Sequence, residues 1–321
     1  MIPNKVANWI NGKEIQAESG KTFKKVSPHS GEILCKVARS TKTDIDHAVA
    51  VAKQAQIDWS NMPAVQRGHL LHQICNALEL QKERIASIVA LETGKSHQEA
   101  LGEIGGAIAL GRFYAGEGQR LYGRTTTSGV ENKYASTVRQ PCGVAGLIIA
   151  ANTPIANVAW KVFPALICGN GVVLKAAEDT PATAWIFAKI AQEAGLPLGV
   201  LNVIQGLGVE AGAPLVEHND VDVISFTGST CVGRWIAETA GKRLAKVSLE
   251  LGGKNPLIVC DDADIDNAVN WACLSAFSNA GQRCASGSRI IVFDSIYDEF
   301  KEKLLLATKK LSIGPTDSDD L

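Results

Sequence analysis

The chain is read most directly from the spacing of its apolar residues. Between Thr43 and Tyr114 they recur at helical intervals. Ile45, Ala48, Val49, Ala52 and Ala55 share one face, and the same spacing returns in Val65–Leu78, Ile85–Leu91 and Glu99–Tyr114. This predicts a helical layer covering one face of a sheet. From Val144 the pattern changes to short, continuous apolar runs alternating with helical stretches. Strands are predicted at Val144–Ile149, Val172–Lys175, Val200–Ile204, Val223–Phe226 and Val247–Glu250. The intervening helices lie around Val158–Leu166, from Pro181, near Ala211 and from Ser229. Strands apolar on both faces, joined through helices, form a parallel sheet buried on both sides, and such sheets bind ligands at the carboxyl ends of their strands. A further strand-helix-strand-helix unit follows at Pro256–Val259, Ile265–Ser278, Ser288–Phe293 and Tyr297–Leu311.

Two stretches fall outside these periods. Residues 1–40 carry short apolar runs broken by Asn11-Gly12, Pro28 and Gly31, which predicts short strands laid on the outside of the body. Gly123–Gln140, rich in Thr, Val and Tyr around Ser128-Gly129, predicts two strands joined by a turn and standing apart from the neighbouring helices.

Composition narrows the partners. With 32 Lys+Arg against 33 Asp+Glu and a net charge of -1, the chain lacks the electrostatic footprint of a nucleic-acid or anionic-membrane binder. Small molecules or copies of the same chain are the expected partners. No apolar run reaches the ~18 residues of a membrane span, and the first residues lack a signal-peptide pattern, which predicts a cytoplasmic protein. The 8 cysteines show no CxxC spacing and the 6 histidines no HExxH, so no disulfide framework and no metal site are predicted. His69 and His72 are expected on the surface of one helix. The 321 residues, 46% of them hydrophobic, suffice for roughly two domains.

Candidate chemistry centres on FSNAGQRCASGSR, Phe277–Arg289. Cys284 sits among small and polar residues that allow close approach to sulfur, which makes it a candidate nucleophile. Taken alone, one of 8 cysteines reads as a small hydrophobe. A free thiol near pKa ~8.5 also needs a base or a cation, for which adjacent Arg283 is one candidate. Two further segments change the balance: IIAANTP, Ile148–Pro154, and LELGGKNP, Leu249–Pro256. Asn152, Lys175, Ser229 and Glu250 all fall at or just beyond predicted strand ends. GSTCVG, Gly228–Gly233, follows a strand and opens a helix, so its free N–H groups suit a pyrophosphate. Arg234 and Trp235 stand where a P-loop requires Lys and Ser/Thr, which excludes the NTPase reading.

In this order and spacing the three segments resemble the NAD(P)-dependent aldehyde dehydrogenase superfamily, from about Trp9 to the last residue. The resemblance implies an α/β fold: a Rossmann-type parallel-sheet NAD-binding domain over residues 1–122 and 142–251, an oligomerisation hairpin at 123–141, and an incomplete catalytic domain at 252–321. It implies Cys284 as nucleophile, Asn152 with the Cys284 backbone N–H as oxyanion donors, and Glu250, partly desolvated at a strand end, as base. NAD is the implied cofactor, held by Ile149, Lys175, Glu178, Gly208, Gly228, Ser229, Gly233 and Leu251, with Lys175 and Glu178 on the adenosine ribose. The implied substrate is an aldehyde, and a full-length relative is implied to be a homo-oligomer. Two departures stand out: Ala150-Ala151 replaces the usual Pro-aromatic pair, and no Glu-x-Phe-Gly-Pro segment occurs. Leu321 therefore reads as a premature end, with apolar edge expected to be exposed after about Gly252. The rival readings are an inactive NAD-binding fragment and a cofactor-independent cysteine esterase.

Overall fold

A computed structural model describes residues 2–314. Five short strands open the chain: β1 Lys5–Val6, β2 Asn8–Ile10, β3 Lys13–Ile15, β4 Thr22–Val26 and β5 Ile33–Ala38. Four helices follow: α1 Lys42–Asn61, α2 Ala64–Leu80, α3 Lys82–Thr93 and α4 His97–Glu117. The hairpin comprises β6 Thr125–Thr127 and β7 Tyr134–Ser136, paired antiparallel with every residue exposed. The alternating segment comprises β8 Val144–Ile148, α5 Pro154–Ile167, β9 Gly171–Lys175, α6 Pro181–Glu193, β10 Leu201–Ile204, a π turn at Gly208–Gly212, α7 Ala213–Glu217, β11 Val223–Gly228, α8 Thr230–Gly241 and β12 Lys246–Leu251. The last unit is β13 Asn255–Val259, α9 Ile265–Phe277, β14 Gly287–Val292 and α10 Tyr297–Thr308.

The central sheet has the order β12-β11-β8-β9-β10-β2-β3. It is parallel from β12 to β10, and β2 joins β10 antiparallel. The chain moves outward from β8 through β9 to β10, then returns to build β11 and β12 on the other side of β8. The reversal puts a topological switch point between β8 and β11, where a crevice opens at the carboxyl ends.

Two expectations need correction. The first strands are not all external: β2 and β3 extend the main sheet, and β2 is buried throughout, because β10 would otherwise end in unpaired backbone. The helical layer is also split between the two faces. Ile45, Ala48, Val49 and Ala52 of α1 pack with Val144, Val173, Ile204 and Ile224 on one face, alongside α7 and α8 residues. Helices α2–α6 build the larger core with Ala145, Leu147, Val172, Leu174 and Val203 on the other. Neighbouring strand residues divide between these cores, as the period of two demands. His69 and His72 are exposed on α2.

Burial declines toward the sheet's β12 edge. Every residue of β8, β9 and β10 is buried, whereas β12 is exposed at Lys246, Val247, Ser248 and Glu250. Among the described residues no strand pairs with its outer side. Beyond it, β13 and β14 form a separate parallel pair with α9 and α10 against it and Ile258, Ile291 and Phe293 exposed. No helix among the described residues is long and apolar enough to cross a membrane.

Candidate active site

The three segments singled out in the sequence converge at the carboxyl end of the sheet. Beyond β8 the chain reaches Asn152 and Thr153 and at once enters α5, with Pro154 at its first position, four residues before Val158, where the apolar pattern began the expected helix. The Asn152 Nδ2 donates to the Gln282 carbonyl at 2.7 Å, tying the oxyanion candidate to the loop that carries Cys284. The Asn255 Nδ2 donates to the Cys284 carbonyl at 2.5 Å and to that of Ser286 at 3.3 Å, so the Gly-Gly-Lys-Asn stretch after Glu250 holds the same loop from its other side. One cavity of about 1220 Å³ is lined by Asn152, Glu250 and Cys284 together with Ala150, Thr227, Gly228 and Leu251. It joins the switch point to the thiol.

Cys284 and Glu250 are both exposed. The expected partial desolvation of Glu250 is absent: β12 is the edge of the sheet, and among the described residues no strand pairs with its outer side. Arg283 does not serve Cys284: its guanidinium turns to Glu99, Nη2 to Oε1 at 3.9 Å. The segment turns at Arg283–Ser286, with Ser286 N donating to the Arg283 carbonyl, and Glu99 supplies the opposite charge to the guanidinium.

Several residues of the site carried no motif. Lys161 lies in α5, is buried, and donates to Ser225 Oγ at 2.8 Å. Burial depresses its pKa to about 8, with Glu250 acting in the opposite direction. Lys95 and Glu103 form a buried ion pair at 2.5 Å. Glu103 Oε1 accepts from Ile155 N at 2.9 Å and Ala156 N at 3.2 Å, a carboxylate on the positive end of α5. A lone lysine in the apolar run PIANVAWKVFPALI, and two acids four apart in the small and apolar run EALGEIGGAIALG, were the available signals.

The cofactor candidates surround the switch point. Lys175, buried at the end of β9, donates to Glu178 Oε2 at 2.8 Å, while the Glu178 side chain stays 45% exposed. Ser229 caps α8 by accepting from Val232 N at 3.3 Å. Gly208 opens the π turn with free space beside it. Gly233 and Leu251 meet each other: a Cβ on Gly233 would lie 2.5 Å from Leu251 Cδ2, so this glycine lets α8 close onto β12. Ile149 is buried with its side chain in the larger core. Thr227 Oγ1, one residue before Gly228, is buried without a hydrogen-bond partner among the described residues. An exposed carboxylate beside a buried ammonium, a capped helix start and open glycine backbone together fit a dinucleotide.

The sequence pattern of the aldehyde dehydrogenase family matches residues 15–321. A mitochondrial benzaldehyde dehydrogenase of Antirrhinum majus is 43% identical over 309 residues, which is 95% of this chain and 58% of that protein. An alpha-ketoglutaric semialdehyde dehydrogenase of Bacillus subtilis (strain 168) is 40% identical over 99% of this chain and 65% of its own length. Among solved structures, an NADP-dependent enzyme of E. coli superposes with a TM-score of 0.97 at 38% identity, covering 99% of this chain and 66% of that one. A betaine aldehyde dehydrogenase of Staphylococcus aureus in complex with NAD+ gives 0.96 at 32% identity, covering 100% and 65%. The chain thus spans less than two thirds of the curated relatives it matches, 58% and 65% of these two. With motifs, fold and these likenesses in agreement over nearly its whole length, the chain belongs to the aldehyde dehydrogenase family.

Proposed function

We propose that this chain carries the cofactor-binding and nucleophile-bearing parts of an NAD-dependent enzyme that oxidises an aldehyde to a carboxylate through a covalent intermediate on Cys284. The observation that carries the reading is the cavity that runs from the switch point to Cys284 and takes in Asn152 and Glu250. Cys284 Sγ attacks the aldehyde carbon, and the oxygen that gains charge receives an N–H from Asn152 and the backbone N–H of Cys284. Asn152 Nδ2 has two hydrogens; one goes to Gln282, which fixes the amide plane and leaves the other for the substrate oxygen. NAD, when bound, would supply the acceptor for the hydride of the former aldehyde carbon. Glu250 takes one proton of the water that attacks the resulting thioester; the carboxylic acid and the Cys284 thiolate part, and the acid gives its remaining proton to solvent.

In the same proposal, Lys175 and Glu178 hold the adenosine ribose, Gly208 lies near the adenine, and Gly228 with Ser229 takes the pyrophosphate at the start of α8. Ile149, Gly233 and Leu251 shape the crevice. Residues 1–122 and 142–251 form the NAD-binding domain, 252–321 belongs to the catalytic domain, and the exposed hairpin at 123–141 is an oligomerisation element. Leu110, Phe113, Trp160 and Leu274 line the cavity, which favours an aldehyde with an apolar, ring-sized body.

NADH formation against a panel of aldehydes tests the reading. Glu250→Gln is expected to leave Cys284 acylation intact and to slow release of the acid. If acylation vanishes while Cys284 still takes a thiol label, Glu250 has another role.

A further inference from the structure

Each of the two loops that must meet for the reaction is fastened to one helix. On α4, Glu99 and Glu103 stand four residues apart and so face the same side. Glu103, with Lys95 from the turn before the helix, holds the oxyanion segment. Lys95 Nζ is shared between Glu103 Oε2 at 2.5 Å and the Asn152 carbonyl at 2.9 Å, while the other carboxylate oxygen takes Ile155 N and Ala156 N. Glu99 holds the nucleophile segment through Asn279: its Oε1 accepts from Asn279 N at 2.8 Å. Asn279 closes the circuit by donating from Nδ2 to the Asn152 carbonyl at 3.0 Å and the Gln282 carbonyl at 3.2 Å.

The backbone that this arrangement restrains is an unfavourable one. Asn279, Ala280 and Gly281 lie in the left-handed region with φ of 53, 53 and 70 degrees. An alanine does not adopt that conformation unless its surroundings hold it there. Around Asn279 those surroundings are the polar contacts just named, and the small core of the 252–314 region does not include the loop. The Lys95–Glu103 pair is buried, with side chains 3% and 6% exposed. Its geometry is therefore fixed, and the Asn152 carbonyl it grips belongs to the residue whose amide must face the substrate oxygen.

We infer that Lys95, Glu99 and Glu103 are positioning residues that set the distance between the Asn152 amide and Cys284, the α4 pair acting as one clamp on two loops. This rests on the reading of Asn152 as oxyanion donor given above. It assigns the three residues no contact with substrate.

The test compares two reactions at one sulfur in the full chain. Acylation of Cys284 by p-nitrophenyl acetate passes through an oxyanion and needs the amide in place, whereas alkylation by iodoacetamide displaces iodide and needs only the thiolate. Both are followed by mass at Cys284, with Cys284→Ala as background. The pair variant Lys95→Met with Glu103→Gln retires both buried charges together, and Glu99→Gln loosens the second loop alone. Each is expected to lower the acylation-to-alkylation ratio by about tenfold or more, since small misplacements carry such factors. Each is also expected to add little further loss on top of Asn152→Ala. A general loss of structure would instead move both reactions, or leave the ratio unchanged. Should the pair variant not fold, Glu99→Gln decides alone. If Asn152→Ala lowers the ratio and the clamp variants do not, the clamp is overturned and the proposed chemistry stands. If Asn152→Ala leaves the ratio unchanged, the oxyanion assignment fails, and the clamp with it.

Discussion

The strand-end crevice and the Cys284 loop of this molecule are stabilised by different means. In the first, strands β8–β10 are buried on both faces between two large cores, and every residue of them is inaccessible. In the second, the buried apolar cluster comprises Val259, Val269, Ala272 and Phe300. The Cys284 loop hangs instead on hydrogen bonds to Asn152, Asn255 and Glu99. A crevice lined by strand ends inherits the rigidity of the sheet. A loop held by polar contacts can be adjusted, and its geometry depends on partners far away in sequence. Binding and chemistry in this chain are therefore expected to respond to different substitutions.

The sharpest break in the comparison is Cys284→Ala, which is predicted to abolish acylation by ester and aldehyde alike while dinucleotide titration is unchanged. Acylation that survives would remove Cys284 from the site.

Next in size are paired core truncations. Phe163 is fully buried and packs edge-to-face on Phe187 with centroids 5.8 Å apart. Phe163→Ala is predicted to cost about 3–5 kcal/mol and to lower the urea midpoint of the sheet region. Phe300→Ala is predicted to release hydrogen-exchange protection in 252–314 and leave β8–β10 protected. Equal loss in both regions would show that they are one cooperative unit.

Lys161, buried in α5 and bonded to Ser225 on β11, belongs to the sheet side. Its pKa, lowered by burial to about 8 from 10.5, means that the unfolded chain binds more protons between those values. Stability contributed by this site is therefore lowest below pH 8 and rises as pH climbs through 8 toward 10.5, by up to about 3 kcal/mol. Lys161→Met is predicted to raise the urea midpoint near pH 7 and to flatten its rise between pH 8 and 10. An unchanged slope would contradict the assignment.

The smallest effect concerns the cofactor. The Glu178 carboxylate can accept from ribose hydroxyls and repels a 2′-phosphate, so NAD is expected to bind more tightly than NADP. Glu178→Ser is predicted to narrow that preference by about tenfold, or ~1.4 kcal/mol, in titrations with both dinucleotides. Equal affinities before substitution would refute the preference.

Local pattern determined much of this. Apolar runs placed β8–β12 to within a residue or two, and most plainly β8–β10, because a strand buried on both faces has almost no polar choice. The same runs located the carboxyl ends where Asn152, Lys175, Ser229 and Glu250 stand. The motifs singled out Cys284 as the candidate nucleophile, from the small and polar residues on either side of it. What only the tertiary structure decided was partnership. Whether α1 or α2–α4 covers a given face depends on the order of strands in the sheet, and periodicity is blind to that order. Whether Arg283 serves Cys284 or Glu99 depends on a helix some 180 positions earlier in the chain, as the Asn279–Glu99 separation shows. Whether Glu250 is desolvated depends on what lies outside β12. Lys95, Glu99, Glu103 and Asn279 each read as ordinary residues along the chain. Their role comes from hydrogen bonds between segments, and hydrogen bonds with remote partners impose no period on a sequence.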